Sequence, residues 1–173
     1  LKPRRSGNLA WSEGSVAFAK NRRTAGGPVD HALPVLRADI GGRLVAVVAN
    51  YACHCTTLGG GFNQVCGDWA GYAQEAIERE NPGAIALITI GCGADANPSP
   101  LGGADGGLAF ARQNGGALGT EVKALLGRNF MPLPGVLRAH LKHIELPYGP
   151  HFTRAQWEER AKKPGIVGYH AQR

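Results

Sequence analysis

The sequence predicts an α/β fold: a mixed sheet with central apolar strands at 43–53 and 84–90, and helices packed on the faces. Three observations carry the prediction. The runs "RLVAVVANYAC" (43–53) and "AIALITI" (84–90) are almost wholly apolar, as strands covered on both faces are. Between them, "WAGYAQEAIERE" (69–80) sets Trp69, Tyr72, Ala73, Ala76 and Ile77 on one side at helical spacing. The resulting order of strand, helix, strand, helix and strand is the alternation of an α/β sheet.

Each element has its own warrant. Residues 1–20 are mixed, with a short helix expected around "WSEGSVAFAK", and "NRRTAGGPVDHALP" (21–34) is punctuated by Gly and Pro into a loop. "VLRADI" (35–40) and the strand from 43 flank Gly41-Gly42, the signature of a hairpin. "NPG" (81–83) stops the helix begun at 69, and "GCGADANPSP" breaks the strand that follows. Residues 107–129 carry a helical pattern weakened by Gly115, Gly116 and Gly119. "VLRAHLKHIEL" (136–146) is β-rich, and "TRAQWEERAKK" (153–163) is a helix with a polar face.

Composition narrows the class. A chain of 173 residues, 43% hydrophobic and 18% charged, suits one domain with a core of its own. It opens on "LKPRRSGNLAW" without an initiator methionine, and the expectation is a single domain over 1–173 that is a piece of a larger protein. No run of apolar residues is long enough to span a membrane. The net charge of +6 is dispersed, without the interleaved aromatics on which bases stack, so no nucleic-acid partner is expected. Cys53, Cys55, Cys66 and Cys92 match no zinc-knuckle spacing and read as packing thiols.

Chemistry concentrates at two strand ends. The run 43–53 delivers His54 into a Gly-rich loop, and 84–90 delivers "GCGADANP". In α/β sheets, ligands sit beyond the carboxyl ends of the strands. If the two strands are parallel neighbours, His54 and 95–97 share one crevice. His54 is either a zinc ligand or a histidine satisfied by backbone at a strand end. Asp68 precedes the helix and suits an N-cap, a role compatible with one at the site. "GGG" at 59–61 lacks the Gly-Lys-Ser/Thr of a phosphate loop. His140 and His143 lie three apart on a strand-like run and would face opposite sides.

Taken together, "NRR…GPVDHALPVLRADIGGRLVAVVANYACHCTTLGG…GDWAGYAQEAIE…ALITIGCGADANP" resembles the N-terminal catalytic domain of the neutral/alkaline, non-lysosomal ceramidase family. The similar stretch covers about 21–98. The resemblance implies a zinc-dependent amidohydrolase acting on an N-acyl lipid or small-molecule substrate that need not be ceramide. It implies that His54 is a zinc ligand, with the remaining ligands outside this chain. Asn21 and Arg22 match an Asn-Arg element that brings an arginine to the site, and Asp68 and Gly71 match an Asp-x-x-Gly step onto the helix. Asp95-Ala96-Asn97-Pro98 matches a motif whose nucleophile is serine. That position is Asn97 here, and Ala94 stands where the family has glycine. A carboxamide is no nucleophile but can donate to an oxyanion. The expected catalytic set is therefore Asn97, Asp95 and Arg22, with Asn21 and Asp68 toward substrate. Expected partners are the N-acyl substrate, a membrane surface touched peripherally, and the rest of the polypeptide; the resemblance leans toward a secreted or periplasmic protein. The competing expectation is a non-catalytic binding or assembly domain on the same scaffold.

Overall fold

The computed structural model describes residues 5–102, 107–136 and 138–173. They divide into two compact units, one up to Gly135 and one from Val136.

In the first unit, β1 (Asn8–Ser15), β3 (Ala32–Ile40) and β4 (Arg43–Tyr51) form an antiparallel meander. β2 (Ala19–Asn21) lies outside it. β5 (Ile85–Ile90) adds in parallel to β4, and the two-residue β7 (Met131–Pro132) adds to β1, giving the order β5-β4-β3-β1-β7. The β3–β4 hairpin turns on Gly41 and Gly42, at φ +58° and +75°. That left-handed pair belongs to the turn that matches strand twist, and it strains any residue with a Cβ. A parallel neighbour cannot be reached by a tight turn. The chain therefore crosses from β4 to β5 through α1 (Asp68–Glu80).

The short helix expected near 11–20 is not formed. Those residues give β1 and the start of β2. Trp11 pairs with Leu36 and Gly14 with Leu33, so a full-length ladder with β3 overrides the local pattern.

Helices α1 and α2 (Gly107–Leu126) pack together against one sheet face. Trp69, Ala73, Ile77, Leu118, Val122 and Leu125 bury there against Val35, Val47, Ala49 and Tyr51. The glycines that weakened the helical pattern of α2 make this packing possible. A Cβ on Gly115 would stand 2.6 Å from the Trp69 carbonyl oxygen and from Tyr72 Cβ, and one on Gly119 would stand 2.7 Å from Ala76 Cβ. Gly116 points to open space. On the other face, Trp11, Leu36, Val48 and Leu87 form one row across four strands. Trp11, Leu36 and Val48 are half-buried, and Leu87 is 49% exposed. The strand expected to be buried at 84–90 is thus buried on its helix face alone.

The second unit contains α3 (Arg154–Ala161) and α4 (Ile166–Ala171). Thr153 and Gln156 form a reciprocal capping box at the start of α3. The β-rich run expected at 136–146 is not a strand in its described part, and residues 138–150 are exposed. A strand needs a ladder partner for its backbone groups, and this unit supplies none among the described residues.

Candidate functional site

A second, two-stranded ladder builds the site. β6 (Ala96–Pro98) pairs antiparallel with β2, setting Lys20 opposite Asn97 and Asn21 opposite Ala96. The loops after β4 and β5 meet beside this ladder. The parallel adjacency of β4 and β5, on which the shared crevice depended, is present.

Glycine permits the close approach. A Cβ on Gly93 would stand 2.5 Å from the Cys53 backbone nitrogen and 2.6 Å from the Ala52 carbonyl carbon. Both neighbours are main chain and cannot rotate away. A Cβ on Gly91 would meet Asn50 Oδ1 at 2.6 Å. The glycines of "GCG" therefore let one strand end lie against the other, in addition to turning the chain.

The imidazole of His54 sits at the crossing. Its backbone N–H donates to the Ala96 carbonyl at 2.9 Å, and its carbonyl accepts from Trp69 Nε1 at 2.9 Å. The ring Nε2 lies 3.3 Å from the Ala94 carbonyl oxygen. The same oxygen accepts from Arg22 Nε at 3.0 Å. Arg22 also donates its backbone N–H to the Asp95 carbonyl at 2.7 Å. Arg22 is exposed and His54 half-buried.

Asn21 has all four of its side-chain hydrogen-bonding positions engaged. Nδ2 donates to Pro28 O at 3.0 Å and to Asp95 Oδ2 at 3.1 Å, while Oδ1 accepts from the backbone of Arg23 and Thr24, each at 2.9 Å. It ties the Arg22 turn to Asp95. Asn97 lies on β6, half-buried, with Oδ1 at 3.5 Å from Thr56 Oγ1. The structure thus brings His54, Arg22, Asn21, Asp95 and Asn97 into one neighbourhood.

Asp68 stands apart. It is not the N-cap expected from the sequence: the cap is Gly67, with no side-chain bond. Asp68 is the first helical residue, in the left-handed region at φ +52°, a conformation Asp tolerates better than most residues. The residue is 4% exposed. Oδ1 accepts from Trp69 N at 2.6 Å and Oδ2 from Leu58 N at 3.1 Å, so it fastens the 55–67 loop to α1. It also lines a cavity of about 450 Å³ together with Cys55, Leu58, Phe62, Gln64 and Cys66.

Two supporting residues escaped the sequence reading. Trp69 looked like helix packing alone, yet its indole nitrogen holds the His54 carbonyl. Tyr51 looked like strand core, yet its hydroxyl donates to the Val16 carbonyl at 2.6 Å and accepts from Ala19 N at 3.2 Å. Burial pushes the Tyr51 phenol up to about 12. Phe18, Tyr51 and Trp69 form an aromatic cluster with ring centroids 4.8 to 5.7 Å apart. Neither role has a local signal: Tyr51 ends an apolar strand and Trp69 opens a helix.

The four cysteines are free thiols. Cys53 is the packing thiol expected, and burial pushes it up to about 12. Cys55 and Cys92 are exposed, because both fall in the loops beyond the strands. Among the described residues, no group of three His, Cys, Asp or Glu side chains could hold a metal ion. His54 is the candidate ligand that the sequence singled out.

No family model matches the chain, and no curated protein matches it. Solved structures do. A ceramidase complexed with C2 is 19% identical, with a TM-score of 0.66, over 75% of this chain and 24% of that one. The neutral ceramidase from Pseudomonas aeruginosa is 20% identical, with a TM-score of 0.65, over the same shares of the two chains. The chain spans about a quarter of the length of these proteins. At such identity the likeness is one of fold: this chain has the α/β fold of part of a neutral ceramidase.

Proposed function

We propose that the chain is part of the catalytic domain of a ceramidase-like hydrolase that cleaves the amide bond of an N-acyl substrate. The observation that supports this reading best is the convergence at Ala94. One main-chain oxygen accepts from Arg22 and faces the His54 ring, with Asn97 on the adjoining strand. On this reading, cation, imidazole and carboxamide act on one bound molecule.

The residues fit zinc in part. A half-buried imidazole with one ring nitrogen on a backbone carbonyl has the outer partner that metal-binding histidines use. The described residues offer no second and third ligand with it, so His54 would hold the ion with side chains from elsewhere in the full polypeptide. Zinc, when bound, supplies a Lewis acid and lowers the pKa of bound water.

The chain's own residues have separable tasks. With Asn97 Oδ1 turned to Thr56, its Nδ2 end is left to donate to the oxygen of a tetrahedral intermediate. Arg22 spends Nε on Ala94, and its terminal amines remain to neutralise developing charge or bind substrate. Asp95, oriented by Asn21, steadies the loop that presents Asn97. Asp68 lines the cavity formed with the 55–67 loop, where substrate contact is proposed for it.

The test uses the full-length protein. It should bind near-stoichiometric zinc and hydrolyse N-acyl amides, and His54→Ala should abolish both. Asn97→Ala should lower kcat by about 10²–10³-fold, the loss typical of one oxyanion donor. Full activity in His54→Ala would remove the metal role. The presence of Asn97 where the resembled motif has serine favours one alternative, a binding domain on this scaffold. Absence of both zinc and hydrolysis in the full-length protein would select it.

A further inference from the structure

We infer that the main-chain carbonyl of Ala94 is a positioning group: it fixes His54 as the Nε2–H tautomer and leaves the Nδ1 lone pair as the atom offered to a metal ion or a proton. A carbonyl oxygen accepts and cannot donate. The 3.3 Å contact with Nε2 is therefore a hydrogen bond only if Nε2 carries the proton. A neutral imidazole has one N–H, so its electron pair resides on Nδ1.

Both partners are held in register. The Ala94 carbonyl is fastened by Arg22 Nε at 3.0 Å. Its loop is fastened by the Ala96 N–H on Gly93 O at 3.0 Å and by Asn21 on Asp95 at 3.1 Å. The His54 backbone is fixed on both sides, by Ala96 and by Trp69. The carbonyl has two lone pairs, one for Arg22 and one for the ring. Arg22 thus has a positioning share alongside its proposed contact with substrate.

The inference rests on the hydrolase reading only for what the lone pair is used for; the tautomer does not depend on it. The test needs neither metal nor substrate. In the 15N-labelled chain, long-range 1H–15N correlations are recorded above the histidine titration range. The His54 signals are those lost in His54→Gln. If that variant fails to fold, they are assigned by elimination, replacing in turn each of the other members of the set of 6 histidines. His54 should show a single Nε2–H pattern, while the exposed His140, His143 and His151 give the averaged pattern of a free ring. An Nδ1–H pattern, or one matching the exposed rings, overturns the inference. Arg22→Ala should move His54 toward the averaged pattern, and an unchanged spectrum overturns the share assigned to Arg22. Failure of amide hydrolysis in the full-length protein would leave the tautomer standing. An Nδ1–H ring would leave the hydrolase reading standing through Nε2.

Discussion

Gly115 and Gly116 are adjacent on α2 and face opposite fates when given a methyl group. Alanine at Gly116 meets nothing within 4 Å. It should collect only the helix-propensity gain, about 1 kcal/mol. Alanine at Gly115 gains the same but drives its Cβ to 2.6 Å from the Trp69 carbonyl oxygen, 2.6 Å from Tyr72 Cβ and 2.7 Å from the Ala73 nitrogen. Ordinary contact begins near 3.4 Å, so α1 must retreat by most of an ångström. Two of the three neighbours are main chain and cannot swing aside. Overpacking of this kind costs up to about 3 kcal/mol. The difference leaves Gly115→Ala about 2 kcal/mol less stable than the parent. At about 2–4 °C per kcal/mol for a chain of this size, Gly115→Ala should melt about 4–8 °C lower and Gly116→Ala about 2–4 °C higher. Thermal unfolding followed by circular dichroism reads both. Gly115→Ala melting at or above Gly116→Ala would refute the close helix seam.

Other expectations follow from the aromatic cluster and the site. Tyr51→Phe strands the buried Val16 carbonyl and Ala19 N–H and should cost about 1–3 kcal/mol in urea unfolding. Tyr51 and Cys53 are both raised by burial to about 12, from ordinary values of 10.0 and 9.0. The unfolded chain therefore loses these protons first, and stability must fall as pH climbs from about 9 to about 12. Urea midpoints across that range should show the decline, and Cys53→Ala should flatten its lower half. Trp69→Phe keeps an aromatic ring but removes the indole N–H that holds the His54 carbonyl. It should cost about 1 kcal/mol for the lost hydrogen bond, with a further loss for the void left in the buried cluster, and shift the His54 ring resonances, whereas a shift no larger than that of His151 would deny the link.

What was legible in the sequence follows from where the information is local. The runs at β4 and β5 are apolar because each is shielded by the helices on at least one face. The Gly41-Gly42 turn needs a conformation that favours glycine, and the α1 stripe repeats at the helical period. Each of these can be read in one window. β1 could not be, because Ser12, Glu13 and Gly14 acquire their meaning from the register with β3. The run at 136–146 has strand chemistry without a ladder, and composition does not report partners.

The site divides the same way. His54 and Asn97 stood out by type and by position after a strand. Asn21 was expected to face substrate, yet its side chain is saturated by four protein contacts, which only the fold assembles. Asp68 is not the cap because it stands inside the helix as its first residue, at positive φ, with its carboxylate accepting from Leu58 N and Trp69 N.

The acceptor shared by Arg22 and His54 belongs to the peptide unit, and the methyl group of Ala94 is exposed. Any residue able to follow the same loop path would furnish that oxygen equally well. Position 94 is therefore free to drift while its contribution stays constant. The alanine found where the resembled motif has glycine is a harmless exchange, and no side-chain scan would ever delete the contact.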